Sequence, residues 1–409
     1  MNHLYNIFIK LIDKLILPIL GLFNTKIKRF ITNRLSLIEK IKNEVSNENN
    51  SIWFHVASLG EYEIAVPLIR LIKEKYKSRI VLTFFSESGF KLKCRIKEID
   101  YAYYLPLDTK SNAKKFLDIV NPELVIFVRS EIWPNYLAEI KKRNIKSYLV
   151  ESRFNKRSIY LTGIQSFLYI KKLKIFDKIF TVDEESKKAL NAVKINNAIV
   201  SGSLKLERVR DYINDNYNND IVDVFKGNNL CIVCGSTWKE DEKIIFEYIK
   251  ESKKQKIKWI IAPHDISKKN IERIKSILKS NYSIYSDVCN NNVHGNILIL
   301  DTIGDLKSIY RYSDISYIGG GMGSSGLHNI LEACIYNKPV IIGKNYSGFI
   351  EAEQLVESGG VASVKDYNEF KLEIEKFIYD KKNIMDKAKI ISKYINTKTG
   401  ALSVIQKKI

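Results

Sequence analysis

Short apolar runs alternate with amphipathic stretches along most of the chain. The runs "SIWFHVAS", "RIVLTFFS" and "ELVIFVRS" each lead into a segment whose apolar residues recur at helical spacing. These runs are apolar throughout rather than at every second position, which is typical of parallel strands covered on both faces by helices. The pattern therefore predicts an α/β fold built from βα units.

A polar stretch in the middle of the chain divides the pattern into two series. Residues 211–228, "DYINDNYNNDIVDVFKGN", interrupt the rhythm, which restarts with "NLCIVCGST", "KWIIAPHD" and "DISYIGGG". Two βα series predict two Rossmann-like, doubly wound domains that face a central cleft. We expect domains at 43–210 and 229–409, joined by a linker at 211–228, with a last helix able to pack back onto the N-terminal domain.

The first 42 residues follow a different pattern. The segment "MNHLYNIFIKLIDKLILPILGLFNTKIKRF" is very lipophilic, but its longest uncharged stretch is the 11 residues 15–25, whereas a membrane span needs about 20. Residues 1–40 contain seven basic and two acidic residues. This combination predicts an amphipathic helix at a membrane surface with anionic headgroups. A core helix of a soluble domain and a tilted span are the alternatives.

The charge balance narrows the range of partners. The 409 residues include 66 Lys and Arg against 46 Asp and Glu, a net charge of +20, which favours nucleic acid, an anionic membrane or phosphorylated substrates. Lysines are spread through most predicted helices instead of clustering with aromatic residues, so a nucleic-acid surface is disfavoured. Five scattered cysteines indicate a reducing compartment, and Cys231 and Cys234 in an apolar strand are expected to be core residues.

Polar residues follow several strands of the first series, where ligands of such sheets bind. Glu61 opens a helix after the turn from Ser58 to Gly60, and Glu131 stands between a strand and "WPN". A partly buried carboxylate there can serve as a general base, although a first-turn carboxylate is also favoured by the helix dipole alone. Arg153 and Lys205 also follow strands, where cations suit a sugar carboxylate or a leaving phosphate.

The second series contains a more specific set of motifs. Ser236 and Thr237 end a strand, His264 follows another, and the glycine-rich segment 317–346 precedes "HNILEA". Glycine amides and helix N–H groups can hold phosphate, and Glu332 can accept hydrogen bonds from a ribose diol. We expect His328 and Glu332, four residues apart, to share one face at the start of a helix. A glycine-rich turn with a capping network is the alternative.

Together the motifs resemble those of 3-deoxy-D-manno-octulosonic acid (Kdo) transferases. The matching stretches are "ASLGE" (57–61), "SEIWPN" (130–135), "ESRFNKRS" (151–158), "SGSLK" (201–205), "GSTWKEDE" (235–242), "DTIGDL" (301–306) and "GLHNILEA" (326–333). The resemblance implies a GT-B, inverting glycosyltransferase that moves Kdo from CMP-Kdo to the lipid A precursor, lipid IVA, in lipopolysaccharide biosynthesis. It implies no metal or cofactor, and a place at the cytoplasmic face of the inner membrane. The alternatives are another GT-B nucleotide-sugar transferase or epimerase and, more remotely, a nucleic-acid-binding protein.

The resemblance also implies roles for individual residues at the matching positions. The implied catalytic residues are Glu61, Glu131 and Lys205. The implied CMP-Kdo-binding residues are Ser236, Thr237, His264, Gly320, Gly321, His328, Asn329 and Glu332. The acceptor or carboxylate side is assigned to Ser58, Gly60 and Arg153. The chain departs from the family in having Arg129-Ser130 before Glu131, and Ala262-Pro263 before His264 where an arginine is usual; Lys268 or Lys269 would have to replace that arginine.

Overall fold

The computed structural model describes residues 2–45, 51–87, 98–214, 218–252, 257–289 and 292–409. The chain divides into two compact units. The N-terminal unit comprises residues 1–208 and 398–409, and the C-terminal unit comprises residues 209–397.

The chain begins with a series of helices. Helix α1 (Asn2–Leu11) continues through a π-helical turn (Ile12–Ile16) into α2 (Leu17–Phe23), followed by α3 (Thr25–Thr32) and α4 (Leu37–Glu44). Asn24 separates α2 from α3, because its side-chain oxygen accepts the N–H groups of Lys26 and Ile27. Among the described residues, no helix combines the length and the apolar character that crossing a membrane requires.

The N-terminal unit is built on a seven-stranded parallel sheet in the order β3-β2-β1-β4-β5-β6-β7. Its strands are β1 (Ser51–Val56), β2 (Arg79–Phe84), β3 (Tyr101–Tyr104), β4 (Pro122–Val128), β5 (Lys146–Ser152), β6 (Lys178–Thr181) and β7 (Ala198–Val200). The helices that follow α4 are α5 (Leu59–Tyr76), α6 (Lys110–Val120), α7 (Pro134–Lys142), α8 (Ser166–Leu173), α9 (Glu184–Ala192) and α10 (Leu204–Asn214). Every residue of β1 is buried, as the continuous apolar pattern predicts for a central strand.

The C-terminal unit contains a second seven-stranded parallel sheet, ordered β10-β11-β9-β8-β12-β13-β14. Its strands are β8 (Leu230–Thr237), β9 (Ile257–Pro263), β10 (Tyr282–Ile284), β11 (Ile297–Ile299), β12 (Ile315–Ile318), β13 (Val340–Gly343) and β14 (Val361–Val364). Its helices include α11 (Asp220–Lys226), α12 (Lys239–Glu251), α13 (Lys268–Leu278), α14 (Leu306–Ile309), α15 (Leu331–Cys334), α16 (Ile350–Glu357), α17 (Tyr367–Tyr379) and α18 (Lys381–Lys398). Cys231 and Cys234 are buried in β8, which confirms their assignment to the core.

The chain ends in the N-terminal unit. The last helix, α19 (Ala401–Gln406), buries Ala401 and Ile405 in the core that also contains Ile52 and Phe54 of β1. The N–H of Ser203 donates to the carbonyl of Lys398 at 2.8 Å, which fixes the end of α18 beside the start of α10. Residues 211–228, expected as a linker, include the end of α10 and the whole of α11.

Candidate active site

Glu61 lies in the first turn of α5, directly after the carboxyl end of β1. Its backbone N–H donates to Ser58 Oγ at 3.5 Å, and its Oε2 atom accepts the N–H of Ala57 at 2.5 Å. Burial raises the pKa of Glu61 above its ordinary value, the Ala57 N–H opposes that rise, and the negative charge of Glu131 adds to it. Glu61 therefore belongs to the helix start, as the dipole alternative requires, and also has the raised pKa expected of a general base.

Glu131 is held by two ring nitrogens. Its Oε2 atom accepts the indole N–H of Trp133 at 2.9 Å and lies 3.0 Å from Nε2 of His55, which is completely buried in β1. Because Glu131 contributes to the raised pKa of Glu61, the two predicted carboxylates share one electrostatic environment. His55 is not among the residues predicted from the sequence, since a lone histidine inside an apolar run has the pattern of a core residue.

The hydrogen bonds of His55 define its tautomer. Its Nδ1 atom lies 2.8 Å from Thr83 Oγ1, and that oxygen accepts the indole N–H of Trp53 at 2.7 Å. The Thr83 hydroxyl proton is therefore free to point at Nδ1, since the other acceptor in range, the carbonyl of Phe54, lies at 3.4 Å. A neutral His55 then carries its proton on Nε2 and donates it to Glu131.

A third carboxylate, Glu151, orders the segment that carries Lys205. Glu151 is buried at the end of β5 with a φ of 53°, and it accepts Ser203 Oγ–H at 2.8 Å and the N–H of Leu204 at 2.6 Å. It thus caps α10 and fixes the backbone beside the half-buried Lys205. Burial raises the pKa of Glu151, and the positive charge of Arg153 is the main opposing effect.

Arg129 joins this group of charges. It follows β4 with a φ of 66° and an exposed side chain, and its charge lowers the pKa values of both Glu61 and Glu151. The chain's departure from the family motif therefore introduces a cation beside the predicted base. The structure places the predicted residues of the N-terminal unit along the carboxyl edge of its sheet, after β1, β4, β5 and β7.

In the C-terminal unit, Asp241 organises the glycine-rich loop. This fully buried carboxylate accepts the Tyr317 hydroxyl at 2.8 Å and the N–H groups of Trp238, Gly320 and Met322 at 2.9, 2.8 and 3.3 Å. Burial raises the pKa of Asp241, and these hydrogen bonds oppose that rise. In the sequence Asp241 resembles an ordinary first-turn acid, because three of its four partners lie 76 to 81 residues further along the chain.

Two glycines of the loop are required by its close packing. A Cβ atom on Gly319 would lie 2.3 Å from the carbonyl oxygen of Ser236, and one on Gly320 would lie 2.1 Å from that of Gly326. Gly320 also has a φ of 90°, which other residues rarely adopt. The loop therefore lies against the end of β8, where Ser236 is half-buried with a φ of 53°.

Three aromatic side chains stack beside this loop. The Trp238 and His264 rings lie 4.6 Å apart at 22°, and His264 lies 4.6 Å from His328. The indole N–H of Trp238 donates to Nε2 of His328 at 3.3 Å. Burial, together with the charge of His264, lowers the pKa of His328 to about 4, so this imidazole is neutral at pH 7.

The expected helical arrangement of His328 and Glu332 is wrong. Helix α15 begins only at Leu331, and His328 lies in the preceding loop, where its N–H donates to the carbonyl of Gly319 at 3.2 Å. The packing of the glycine loop keeps the chain out of a helix until residue 331. Asn329 and Glu332 do meet, since the Asn329 amide donates to Glu332 Oε1 at 3.1 Å.

The side chain of Thr237 is hydrogen-bonded within the protein. Its hydroxyl donates to Glu242 Oε1 at 3.2 Å, and Glu242, which is almost fully buried, pairs with Arg273. This hydroxyl is bound within the protein itself. Of the two predicted phosphate contacts at the end of β8, Ser236 has the more exposed side chain.

The two parallel sheets and their helices define the GT-B fold class. The structure of UDP-GlcNAc 2-epimerase from Neisseria meningitidis bound to UDP-GlcNAc is similar to this chain with a TM-score of 0.63 and 16% identity, over 87% of this chain and 98% of the other. At that identity the likeness shows the fold alone.

The sequence comparisons show which proteins the chain is similar to. A family model described as 3-deoxy-D-manno-octulosonic-acid transferase (kdotransferase) matches residues 30–208. The chain is 28% identical to a bifunctional glycosyltransferase/methyltransferase of Fusobacterium nucleatum over 99% of its own length and 63% of the relative's. It is 29% identical to a 3-deoxy-D-manno-octulosonic acid transferase of Rickettsia felis over 75% of its own length and 67% of the relative's. The predicted resemblance is thus confirmed, and the chain is a homologue of the Kdo transferases, with about two thirds of the length of these two relatives aligned to it.

Proposed function

We propose that this chain transfers Kdo from CMP-Kdo to the lipid A precursor in lipopolysaccharide biosynthesis. The observation that carries the proposal is the pair of carboxylates in the N-terminal unit: Glu61 with a raised pKa, and Glu131 fixed by His55 and Trp133. The match of residues 30–208 to the kdotransferase family model covers both residues and supports their assignment.

In the proposed reaction, Glu61 is the general base. An acceptor hydroxyl oxygen attacks the anomeric carbon of Kdo, its proton passes to Glu61, and the bond from that carbon to the phosphate oxygen breaks. CMP leaves with the electron pair, and a single in-line displacement inverts the anomeric centre. A carboxylate whose pKa is raised toward the working pH is a better base than an exposed one and still ionises.

Glu131, Lys205 and Arg153 take supporting roles in this proposal. The negative charge of Glu131 raises the pKa of Glu61 and so favours uptake of the proton by Glu61. Lys205 and Arg153 lie near the buried Glu151, and their cationic side chains suit the carboxylate of the sugar. Ser58 and Gly60 form the turn that places Glu61 at the edge of the sheet.

The C-terminal unit is proposed to bind the CMP part of the donor. Asp241 fixes the loop that contains Gly320 and Gly321, so that backbone N–H groups near the end of β8 and Ser236 can hold the phosphate. The Asn329–Glu332 pair is proposed to accept hydrogen bonds from the ribose diol. The exposed ring of His264, stacked on Trp238 beside His328, offers a flat surface to the base.

The N-terminal helices are proposed to hold the enzyme at the cytoplasmic face of the inner membrane. Several of their apolar side chains are largely exposed, including Leu22 at 80% and Phe23 at 85%. Exposed apolar residues next to basic ones favour adsorption to a bilayer with anionic headgroups.

The test is to incubate the protein with CMP-Kdo and tetraacyl lipid A precursor, with and without EDTA, and to count the added sugars by mass spectrometry. We expect Kdo addition and CMP release in both conditions. A parallel incubation with UDP-GlcNAc tests the epimerase alternative. Epimerisation without Kdo transfer would contradict the proposal and favour that alternative.

A further inference from the structure

The N-terminal unit contains an apolar groove between α1 and the start of α8. The groove has a volume of about 610 Å³, within the range of ~300–1,000 Å³ that is usual for small-molecule sites. Its lining includes Leu4, Tyr5, Phe8, Ile164, Leu168 and Tyr169. The proposed transfer chemistry does not use these residues.

Three large apolar side chains in the walls of the groove are mostly exposed to solvent. Ile164 is 96% exposed, Leu4 is 68% exposed and Phe8 is 58% exposed. A hydrocarbon chain in the groove would cover part of the apolar surface of each of these residues and remove it from water, which is favourable.

The wall formed by α1 is anchored to the body of the unit. The Tyr5 hydroxyl donates to Asp108 at 2.7 Å, and Asp108 is fully buried. The same carboxylate accepts the N–H groups of Asn135 and Tyr136 at the start of α7, the helix that follows Glu131. These hydrogen bonds fix the position of α1 and therefore the shape of the groove.

One end of the groove approaches the proposed catalytic carboxylates. Tyr169, which lines the groove, packs edge-to-face on Tyr160 with ring centroids 5.1 Å apart. Burial raises the pKa of Tyr160, and the negative charges of Glu131 and Glu61 add to that rise. Tyr160 also packs against Phe154, with ring centroids 6.4 Å apart, and Phe154 follows β5 at the carboxyl edge of the sheet, the edge where Glu61 and Glu131 also lie.

Exposed cationic side chains lie on the two helices that form the groove and in the segment between β5 and α8. Lys10 is exposed on α1, Lys171 is exposed on α8, and Lys156 and Arg157 are exposed in the turn that leads to the groove. An occupant with an apolar chain and an anionic polar end complements this combination better than an uncharged apolar partner does.

We propose that the groove binds one acyl chain of the lipid acceptor and thereby places the acceptor sugar beside Glu61. This inference rests on the proposed function and adds a specific subsite to it.

The binding test uses two soluble probes, a glucosamine phosphate with an N-linked dodecanoyl chain and the same sugar with an N-acetyl group. Calorimetry measures the Kd of each below the micelle concentration. We expect wild type to bind the dodecanoyl probe at least tenfold more tightly, a ratio that burial of about two methylenes provides. The double variant Leu4→Ser/Ile164→Ser should lose this ratio without loss of fold, because both side chains are mostly exposed.

Matched controls separate the groove from general membrane attachment. Leu22→Ser/Phe23→Ser changes two exposed apolar residues of α2 that do not line the groove, so it should retain the tenfold ratio while binding less to anionic liposomes. The proposal is overturned if wild type shows no preference for the dodecanoyl probe, or if the groove variant keeps it. A retained preference in a protein that transfers no Kdo would support the groove and contradict the proposed function, so the two failures are distinguishable.

Discussion

The Nε2 atom of His55 lies 3.0 Å from Oε2 of Glu131, which couples a completely buried imidazole to a carboxylate near the proposed base. The Thr83 hydroxyl can donate to Nδ1 of His55, which leaves the Nε2–H to donate to Glu131. This interaction orients Glu131 without bringing His55 itself to the substrate.

His55 is expected to be a positioning residue. His55→Gln removes the ring that joins Thr83 to Glu131, and loss of a hydrogen bond to a charged group, worth about 1.5–3 kcal/mol, corresponds to a ~10–100-fold drop in kcat. The KM for CMP-Kdo should stay within twofold, since the contacts to CMP are proposed for the other unit and His55 is not proposed to touch the sugar. Steady-state kinetics measure kcat and KM separately and so check this expectation. Trp133→Phe is the matched control, because it removes the indole N–H that donates to the same Oε2 atom of Glu131. A drop in stability with an unchanged kcat would show that His55 is only structural.

The raised pKa of Glu61 predicts the pH dependence of transfer. The base must be ionised, so kcat/KM should fall as the pH falls through a pKa above the ordinary value of 4.5. A pH–rate profile between pH 4.5 and 8.5 checks this expectation. An acidic limb at or below pH 4.5 would contradict it.

The same pKa shift predicts a stability change of defined sign. A folded-state pKa above the unfolded one means that the folded protein loses stability as the pH rises through that range, because ionised Glu61 is less favoured in its partly buried site. At pH 7, Glu61→Gln should therefore raise the Tm measured by calorimetry, with Glu247→Gln on the exposed face of α12 as the control. A lower Tm for Glu61→Gln would show that the carboxylate stabilises the fold.

Asp241 is expected to control donor binding through the glycine loop. Asp241→Asn loses the charge that accepts three N–H groups and one hydroxyl, so the loop should lose its fixed position. We expect the Kd for CMP, measured by calorimetry, to rise ~10-fold or more. Unchanged CMP affinity in a folded variant would contradict this role.

His328 should remain neutral at physiological pH. Burial lowers its pKa to about 4, so its ring signals should show no titration between pH 8 and pH 5.5 in NMR spectra. The Trp238→Phe variant removes the indole N–H that donates to His328 and serves as the control for assigning the ring signals of His328. Protonation destabilises this folded site, because the folded pKa lies below the unfolded one, and stability is therefore lost as the pH falls below about 6.5. A midpoint near 6.5 would contradict the buried, neutral imidazole.

The fold could be predicted from the sequence because its periodicity is strong. Short, largely apolar runs such as "SIWFHV", each followed by a helical pattern, are typical of strands covered on both faces, and both sheets have that form. The start of α15 could not be predicted, because "HNILEA" has helical spacing while the packing of Gly319 and Gly320 keeps His328 in the loop.

Only some residues of the candidate site could be predicted from the sequence. Glu61 and Glu131 were identified because acids at the ends of strands stand out, but His55 and Asp241 depend on partners distant in the chain. Burial and long-range hydrogen bonds decide the roles of such residues, and neither has a local pattern. The roles of the predicted site residues therefore stay predictions that kinetics must test.

The most direct test of the central claim compares transfer by wild type and Glu61→Gln. Single-turnover reactions with CMP-Kdo and lipid A precursor measure the chemical step, while calorimetry measures the Kd for CMP. The account predicts a ~10²–10⁴-fold slower transfer with CMP affinity and folding retained, which is the usual contribution of a general base. Transfer by Glu61→Gln at the wild-type rate would contradict it.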